Sequence, residues 1–237
     1  MRSTHTYRSV DAGDTPGRYV LRVVVPVVHV ELDDGVRALQ VLDVAPASLA
    51  QDAETVRTVA RDYQEIITYS FVEPAWEIDF AGNAQPAALL NPIASNMSVM
   101  RSGLAGGLVD RVAFNVKHKQ ARIRLFEIGR CFGADGDGGY AQGMRMGGIA
   151  YGDALQEQWG SRPSRLVDFY DVKGDVEVLL APRHAVFESA LHPALHPGKS
   201  ARIVCDGKKA GWIGELHPRW QRKYDLPVAP ILFELDC

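Results

Sequence analysis

The chain has 237 residues, of which 46% are hydrophobic and 23% charged. These fractions are ordinary for a globular protein, and they exclude wholesale disorder or a coiled-coil rod. The net charge of −3 excludes a polycation, but residues 101–130 and 199–223 each carry seven Arg or Lys against two acids. Such locally basic surfaces are compatible with RNA, acidic ligands or a partner subunit.

The first half of the chain divides into a polar segment and the start of a domain. Residues 1–53 are punctuated by Gly and Pro, and we expect a weakly ordered or divergent segment there, followed by one domain at 54–237. The domain is predicted to begin with a helix at 54–60, a buried strand at 65–72, a helix at 73–80 and a strand at 87–91.

A long helix is predicted between residues 102 and 118. Ser102 is a suitable N-cap, and apolar residues recur every four positions from Leu104 to Val116. Three glycines near the start of this helix indicate close packing against another element. They do not form a phosphate-binding loop, because the Lys and Ser or Thr of that motif are missing.

The second half of the chain is predicted to be rich in strands. They are expected at 122–132, 144–151, 185–190, 202–205, 210–216 and 230–235, with helices at 171–181 and 218–224. Loops are expected at 133–143, 152–166 and 192–198, and Asp206-Gly207 suits a two-residue hairpin turn. This element order predicts an α+β fold, a mostly antiparallel sheet with helices on one face.

The cysteines and apolar runs indicate the compartment. Cys131, Cys205 and Cys237 are too few and too scattered for a disulfide framework or a zinc site, which suggests a reducing environment. The most apolar stretch, 19–32, contains Arg22 and is shorter than the ~20 residues that a membrane span needs. We therefore expect a cytoplasmic protein with no membrane partner.

Neither a metal site nor a catalytic residue can be assigned from motifs. His192 and His196 are four residues apart, as in a helical metal-binding pair, but each precedes a proline that prevents a continuous helix. His217 lies further along the chain, and no serine or cysteine has the setting of a nucleophile.

A basic segment near the C-terminus is a candidate RNA contact. Interleaved basic and aromatic side chains can grip phosphates and stack on bases, and the candidates here are Arg219, Trp220, Arg222 and Lys223. The alternative is an amphipathic helix whose aromatic residues enter the core.

Four segments carry a more specific signal. They read LNPIASNMSVMR at 90–101, RLFEIGR at 124–130, DFYDVKGDVE at 168–177, and HPALHPG at 192–198 together with GWIGELHP at 211–218. In this order and spacing they resemble the catalytic-like region of the bacterial phenylalanyl-tRNA synthetase beta subunit. The resemblance covers about residues 57–236.

The resemblance implies a class II aminoacyl-tRNA synthetase-like antiparallel sheet flanked by helices. In that family this region is non-catalytic and pairs with the catalytic alpha subunit, within an (αβ)₂ heterotetramer that attaches phenylalanine to tRNA. It therefore implies that ATP and magnesium belong to the holoenzyme, and that this chain alone holds no cofactor and is inactive.

The resemblance also implies a subunit interface on the long helix and the strand before it. The residues at those positions are Asn91, Met100, Arg101, Leu104, Leu108, Val112 and Asn115. The same helix face could pair two copies of the isolated chain.

The family's ATP-binding pattern is incomplete in this sequence. Class II catalysis needs one Arg for the α-phosphate, expected within 124–132, and a Gly-rich strand–helix junction with a second Arg for the γ-phosphate. The junction at 211–219 reads GWIGELHPR, which is not the Gly-x-Gly-x-Gly-x-x-Arg form. One Arg alone would leave triphosphate charge uncompensated. The main hypothesis is thus a structural beta-subunit region, and the alternative is a stand-alone RNA-binding module derived from a synthetase-like fold.

Overall fold

A seven-stranded mixed sheet organises the part of the chain that the computed structural model describes, which comprises residues 55, 58–59, 61–134, 140–156, 159 and 165–236. The expectation for 1–53 lies outside these residues, as do much of the predicted 54–60 helix and the 152–166 loop. The domain boundary at 53/54 stays a prediction.

The strands are β1 (Gln64–Glu65), β2 (Phe71–Val72), β3 (Val99–Met100), β4 (Ile123–Ala134), β5 (Tyr140–Tyr151), β6 (Ala185–Ser189), β7 (Leu195–Cys205), β8 (Lys208–Leu216) and β9 (Ile231–Asp236). The large sheet has the order β1-β4-β5-β9-β8-β7-β6, while β2 and β3 form a separate ribbon. Neighbouring strands are antiparallel except β1 and β4, which are parallel. The predicted, mostly antiparallel α+β sheet is confirmed.

The helices are α1 (Pro74–Trp76, continuing as one π-helical turn at Glu77–Ala81), α2 (Ala105–Lys117), α3 (Phe169–Leu180) and α4 (Pro218–Lys223). A short 3₁₀ turn spans Ser95–Met97. None of the helices in the described part of the chain is long and apolar enough to cross a lipid bilayer.

Helices cover both faces of the sheet, and the expectation of one covered face was wrong. Alternate residues of a strand point to opposite faces, and in β4 both sets are apolar. Leu125 packs in the cluster under α2, whereas Phe126 packs in the cluster under α3. Strand β9 does the same with Leu232 and Phe233. A central strand with two apolar faces needs cover on both.

The segment 65–72 differs from its prediction. It is not one strand: β1 joins the large sheet and β2 joins the small ribbon. Between them, the Thr68 N–H and hydroxyl donate to the Glu127 carboxylate at 3.1 and 2.8 Å. These side-chain bonds replace ladder bonds, so the chain leaves one sheet for the other.

Other predicted boundaries shift in the strand-rich half. The strand expected at 87–91 is reduced to a single bridge between Ala88 and Val99. Strands β4 and β5 extend into the loop predicted at 133–143, and β7 begins inside the loop predicted at 192–198. The hairpin turn is confirmed, since Asp206 and Gly207 have φ of 51° and 74°.

The start of α2 also differs from its prediction. The N-cap position is Leu104, not Ser102, and no side chain of this helix caps it. The Ser102 N–H donates to Glu77 at 3.0 Å, and the Leu104 N–H donates to Glu234 at 2.7 Å. Carboxylates from other elements thus hold the approach to the helix.

Glycines at the start of α2 allow close packing within this chain. A Cβ at Gly106 would lie 2.7 Å from the ring of Trp76, and one at Gly107 would lie 2.7 Å from the Thr68 hydroxyl. The close packing predicted from the sequence is therefore against α1 and the segment before β2.

Replacing these helical glycines with alanine should have opposite effects in α2 and α3. Gly106→Ala should destabilise the domain by roughly 1–2 kcal/mol, because overpacking against Trp76 outweighs the better helix propensity. Gly174→Ala should stabilise it by up to ~1 kcal/mol, since nothing lies within 4 Å of the added methyl group. Urea unfolding followed by circular dichroism would measure both; shifts of the same sign would contradict this packing.

Candidate functional site

A cavity of about 380 Å³ lies on the α2 face of the sheet. Its walls come from α1, the segment leading into α2, and strands β5, β8 and β9. Aromatic rings of Trp76, Phe80 and Trp212 line it together with charged side chains. A concave site with apolar walls and a few charged groups is typical of a ligand site.

A buried ion pair between Arg101 and Glu127 lies behind this cavity. The two side chains are 2.7 Å apart, and the residues are only 4% and 1% exposed. Arg101 also donates to the Thr68 hydroxyl at 2.9 Å and to the Arg130 carbonyl at 3.0 Å. A Cβ at Gly129 would overlap the guanidinium, so the strand provides the space for it. Both charges are thereby compensated inside the protein.

A second pair joins β5 to β9. Arg145 lies 2.7 Å from Glu234 and 3.3 Å from Asp236, and it donates to the Ser102 carbonyl at 2.7 Å. Burial raises the pKa of Glu234, an effect opposed by the positive charge of Arg145. The pair links two neighbouring strands to the approach to α2.

A third buried carboxylate, that of Glu77, accepts only from neutral groups. The Ser102 N–H and hydroxyl and the Asn83 side-chain amide donate to it. No cation within the described residues forms an ion pair with it. Glu77 thereby holds Ser102, the residue at which the chain turns toward α2, against α1.

Two further titratable groups are poorly suited to catalysis: Cys131, which lies near the charged residues of the cavity, and His192, which lines it. Burial and the charge of Glu234 raise the pKa of the Cys131 thiol to about 12, which disfavours a thiolate nucleophile. His192 stacks on Trp212 with ring centroids 4.2 Å apart. Burial, with smaller contributions from Lys209 and Arg145, lowers its pKa to about 4. The imidazole is therefore neutral at pH 7.

Buried positions account for four of the residues expected at a subunit interface. Leu104, Leu108 and Val112 lie in the core cluster of this chain, and Arg101 forms the ion pair described above. The expectation that their side chains form an outer surface needs correction, because the apolar stripe of α2 faces its own sheet.

The other three expected interface residues are more accessible. Asn91 is exposed in the loop before the 3₁₀ turn, and Met100 is half-buried opposite Phe71. Asn115 is half-buried on α2, where its side-chain amide donates to the Arg111 carbonyl at 2.8 Å. Their role in an interface stays a prediction.

The residues expected to contact RNA lie on α4, but one of them faces inward. Trp220 is 7% exposed, its ring centroid is 5.4 Å from that of Phe80, and its Nε1–H donates to the Pro193 carbonyl. For Trp220 the structure therefore supports the alternative stated above, in which the aromatic residue of this helix enters the core. Arg219, Arg222 and Lys223 are exposed, as expected.

The arginine expected to bind the α-phosphate of ATP forms an ion pair away from the cavity. Arg124 lies on the opposite face of the sheet, where it pairs with Asp175 of α3 at 2.7 Å. Asp175 is 2% exposed and also accepts from Arg61 at 2.7 Å and Tyr63 at 3.1 Å. Arg130 contacts Gln142 on the β4–β5 hairpin and does not line the cavity.

His192, His196 and His217 do not assemble a metal site. Within the described residues, no three His, Cys, Asp or Glu side chains come close enough together to hold a metal ion. His196 and His217 instead accept hydrogen bonds from the backbone two residues further on, at 3.0 and 3.1 Å.

Sequence reasoning missed the three buried glutamates that hold the approach to α2. Glu127 and Glu234 each sit between apolar residues in a strand, in the runs Leu-Phe-Glu-Ile and Leu-Phe-Glu-Leu. A charged residue inside an apolar strand is rarely buried without a partner. That pattern was the available signal, although it does not identify the partner.

Comparison with known proteins places these features in a family. The family model described as the phenylalanyl tRNA synthetase beta chain CLM domain matches residues 44–237. The phenylalanine–tRNA ligase beta subunit of Ralstonia nicotianae is 60% identical over 185 residues, covering 75% of this chain and 23% of that protein. The one from Burkholderia lata is 51% identical over 210 residues, covering 82% and 26%. The chain thus spans about a quarter of the length of the curated relatives it matches.

Solved structures show the same fold at low sequence identity. Pyrrolysyl-tRNA synthetase from Desulfitobacterium hafniense superposes with a TM-score of 0.57 at 11% identity, covering 79% of this chain and 64% of that one. At this identity the likeness shows the fold alone, that of a class II tRNA synthetase.

The neutral state of His192 should make the domain sensitive to acid. Since the folded state binds this proton less tightly than the unfolded chain, stability is unaffected above about pH 6.5 and decreases below it by up to ~1.4 kcal/mol per pH unit. His192→Asn keeps an acceptor for the Ala194 N–H but cannot titrate. Between pH 7 and 5 the wild type should lose roughly 2 kcal/mol more unfolding free energy than the variant. An imidazole titrating near pH 6.5 by NMR would contradict this.

Proposed function

Because the chain belongs to the phenylalanyl-tRNA synthetase beta chain family, we propose that it is a non-catalytic region of a phenylalanine–tRNA ligase beta subunit. In this proposal it pairs with the catalytic alpha subunit and supports the attachment of phenylalanine to tRNA in the cytoplasm. ATP and magnesium would be bound by the assembled enzyme through the alpha subunit.

The observation that carries the non-catalytic role is the charge balance of the cavity. Three cationic side chains line it, those of Arg101, Arg145 and Lys209, and three carboxylates line it with them, those of Glu77, Glu234 and Asp236. The charge of Arg101 is also neutralised by Glu127, which lies on strand β4. A triphosphate needs a strong excess of positive charge in such a site. The two arginines cannot supply that excess without breaking their ion pairs with Glu127 and Glu234.

The strand–helix junction between β8 and α4 gives a second reason. Its Arg219 donates to the Pro193 carbonyl at 2.9 Å and lines a different groove, so it does not reach the cavity. The second arginine expected of an ATP site is therefore directed away from it.

An exposed apolar surface before and along α2 supports pairing with another subunit. Its large side chains, with exposed fractions in parentheses, are Leu90 (77%), Ile93 (68%), Tyr69 (62%), Ile67 (58%) and Phe114 (49%). The backbone segments that carry the first four are joined through the β2–β3 ribbon and its bridge to Ala88. Exposed apolar residues on adjoining segments, as the first four are, mark interaction sites. We infer that the alpha subunit packs on this surface.

Mixing the chain with purified alpha subunit should give a complex on gel filtration, and Leu90→Asp should weaken it by at least about tenfold in Kd, because a charge would be buried in an apolar contact. Tyr170→Asp is the matched control: Tyr170 is equally exposed at 77% but lies on α3, over the other face of the sheet. Both variants should unfold at the same urea concentration as the wild type. Absence of any complex between the folded proteins would refute the proposed pairing.

Calorimetry tests the non-catalytic role independently. Titration of the chain with ATP and Mg²⁺ should release no heat of specific binding up to millimolar nucleotide, since the cavity carries no net positive charge. Saturable binding that disappears in Arg145→Gln would show instead that the cavity is a nucleotide site.

A further inference from the structure

A groove beside α4 has the chemistry of a nucleic-acid contact. It has a volume of about 300 Å³ and is lined by Leu191, Pro193, Pro197, His217 and Arg219, among others. Leu191 is 81% exposed at its rim. The walls combine stiff apolar rings with polar and positively charged groups at one end.

We propose that this groove, with Arg219 in its wall and Arg222 one turn further along α4, binds a single-stranded stretch of tRNA, the bases lying in the groove and the phosphates on the two arginines. The inference rests on the proposed function in one respect only, which is that the assembly acts on tRNA.

Arg219 and Arg222 are among the cations of the described ranges that form no ion pair with a described carboxylate. Of the twelve arginines in the described ranges, eight form ion pairs with carboxylates. The four that form none with described carboxylates are Arg130, Arg183, Arg219 and Arg222. Two of these four lie one turn apart on α4.

Two lysines of this region, in contrast to the two arginines, are already paired with carboxylates. Lys223 pairs with Asp79 at 3.1 Å, and Lys199 pairs with Glu215 at 2.6 Å. The pKa of His217 is lowered, by burial first and then by the charges of Arg219, His196 and Arg222. The geometry and this shift both indicate that positive groups converge around His217.

Arg219 is held in place before any ligand arrives. Its guanidinium donates to the Pro193 carbonyl at 2.9 Å and lies 4.2 Å from the centroid of the Trp220 ring. A charged group that is already ordered loses less conformational entropy on binding. The buried Trp220 thus contributes by supporting the arginine, not by stacking on a base.

RNA fits this surface better than an acidic peptide. Single-stranded nucleic acid alternates a flat apolar base with a phosphate, which matches an apolar groove bordered by cations. An acidic peptide could pair its carboxylates with the arginines, but it carries no regularly spaced apolar group to contact the adjoining walls.

The test uses a fluorescein-labelled transcript of tRNA specific for phenylalanine, titrated with the full chain and with its complex with alpha subunit. Arg222→Glu should weaken binding on the order of tenfold and reduce the slope of log K against log[KCl] by about 1. Arg222→Lys should retain most of the affinity. Leu191→Ser should weaken binding to a labelled twelve-nucleotide single-stranded RNA without changing stability.

Arg183→Glu is the matched control, since Arg183 is also exposed but precedes β6, away from α4. It should change the affinity less than about twofold. Equal losses in Arg183→Glu and Arg222→Glu would overturn the proposal by showing non-specific attraction. Unchanged RNA affinity in Arg222→Glu, with lost binding of a leucine- and glutamate-containing peptide, would overturn it in favour of a protein partner.

These outcomes are separable from the proposed function. If the chain forms the complex with alpha subunit but Arg222→Glu leaves tRNA affinity unchanged, only the groove assignment fails. If no complex forms while the groove variants still lose tRNA affinity, the pairing fails and the RNA contact stands.

Discussion

The buried ion pair between Arg101 and Glu127 is the interaction on which the α2 side of the domain depends. Arg101 is the residue at which the chain leaves β3 for α2, and its partner sits in the central strand β4. Thr68 completes the arrangement by donating to Glu127 and accepting from Arg101. Removal of either charge would leave the other buried and unpaired, which costs several kcal/mol. The position of α2 relative to the sheet is therefore set by charge as well as by apolar packing.

The charged side chains that line the cavity bind the protein's own backbone and one another. Glu77 and Glu234 direct their carboxylates at backbone N–H groups of the approach to α2, and Arg145 pairs with Glu234. Charges that would face a ligand in an active site here serve the protein's own architecture. The exposed apolar surface around Leu90 and Tyr69 lies just outside this rigid arrangement. An apolar surface on such a base suits the proposed contact with another subunit.

The sequence predicted most of the secondary structure because periodicity and turn chemistry are local. Periodicity predicted the helix over 105–117, and turn or cap residues predicted the turn at Asp206-Gly207 and the start of α4 at Pro218. It could not predict that Leu104 and Leu108 face inward, because an apolar stripe has the same pattern whether its own sheet or a partner covers it. The partner of Glu127 could not be predicted either, since Arg101 lies on another element 26 residues away. Burial of Trp220 followed from contacts with Phe80 and Pro193, which are distant in sequence.

The position of β9 bears on how the domain is made. It is the last strand in the chain order, yet it lies in the middle of the sheet between β5 and β8. Its Glu234 also holds the backbone of Leu104, 130 residues earlier. Such distant pairings form slowly, because closing the long intervening loop costs chain entropy before the contacts can stabilise the fold. During synthesis on the ribosome, the two halves of the sheet must wait for residues 231–236 to emerge, and until then their inner edges are open to chaperones or to misassociation.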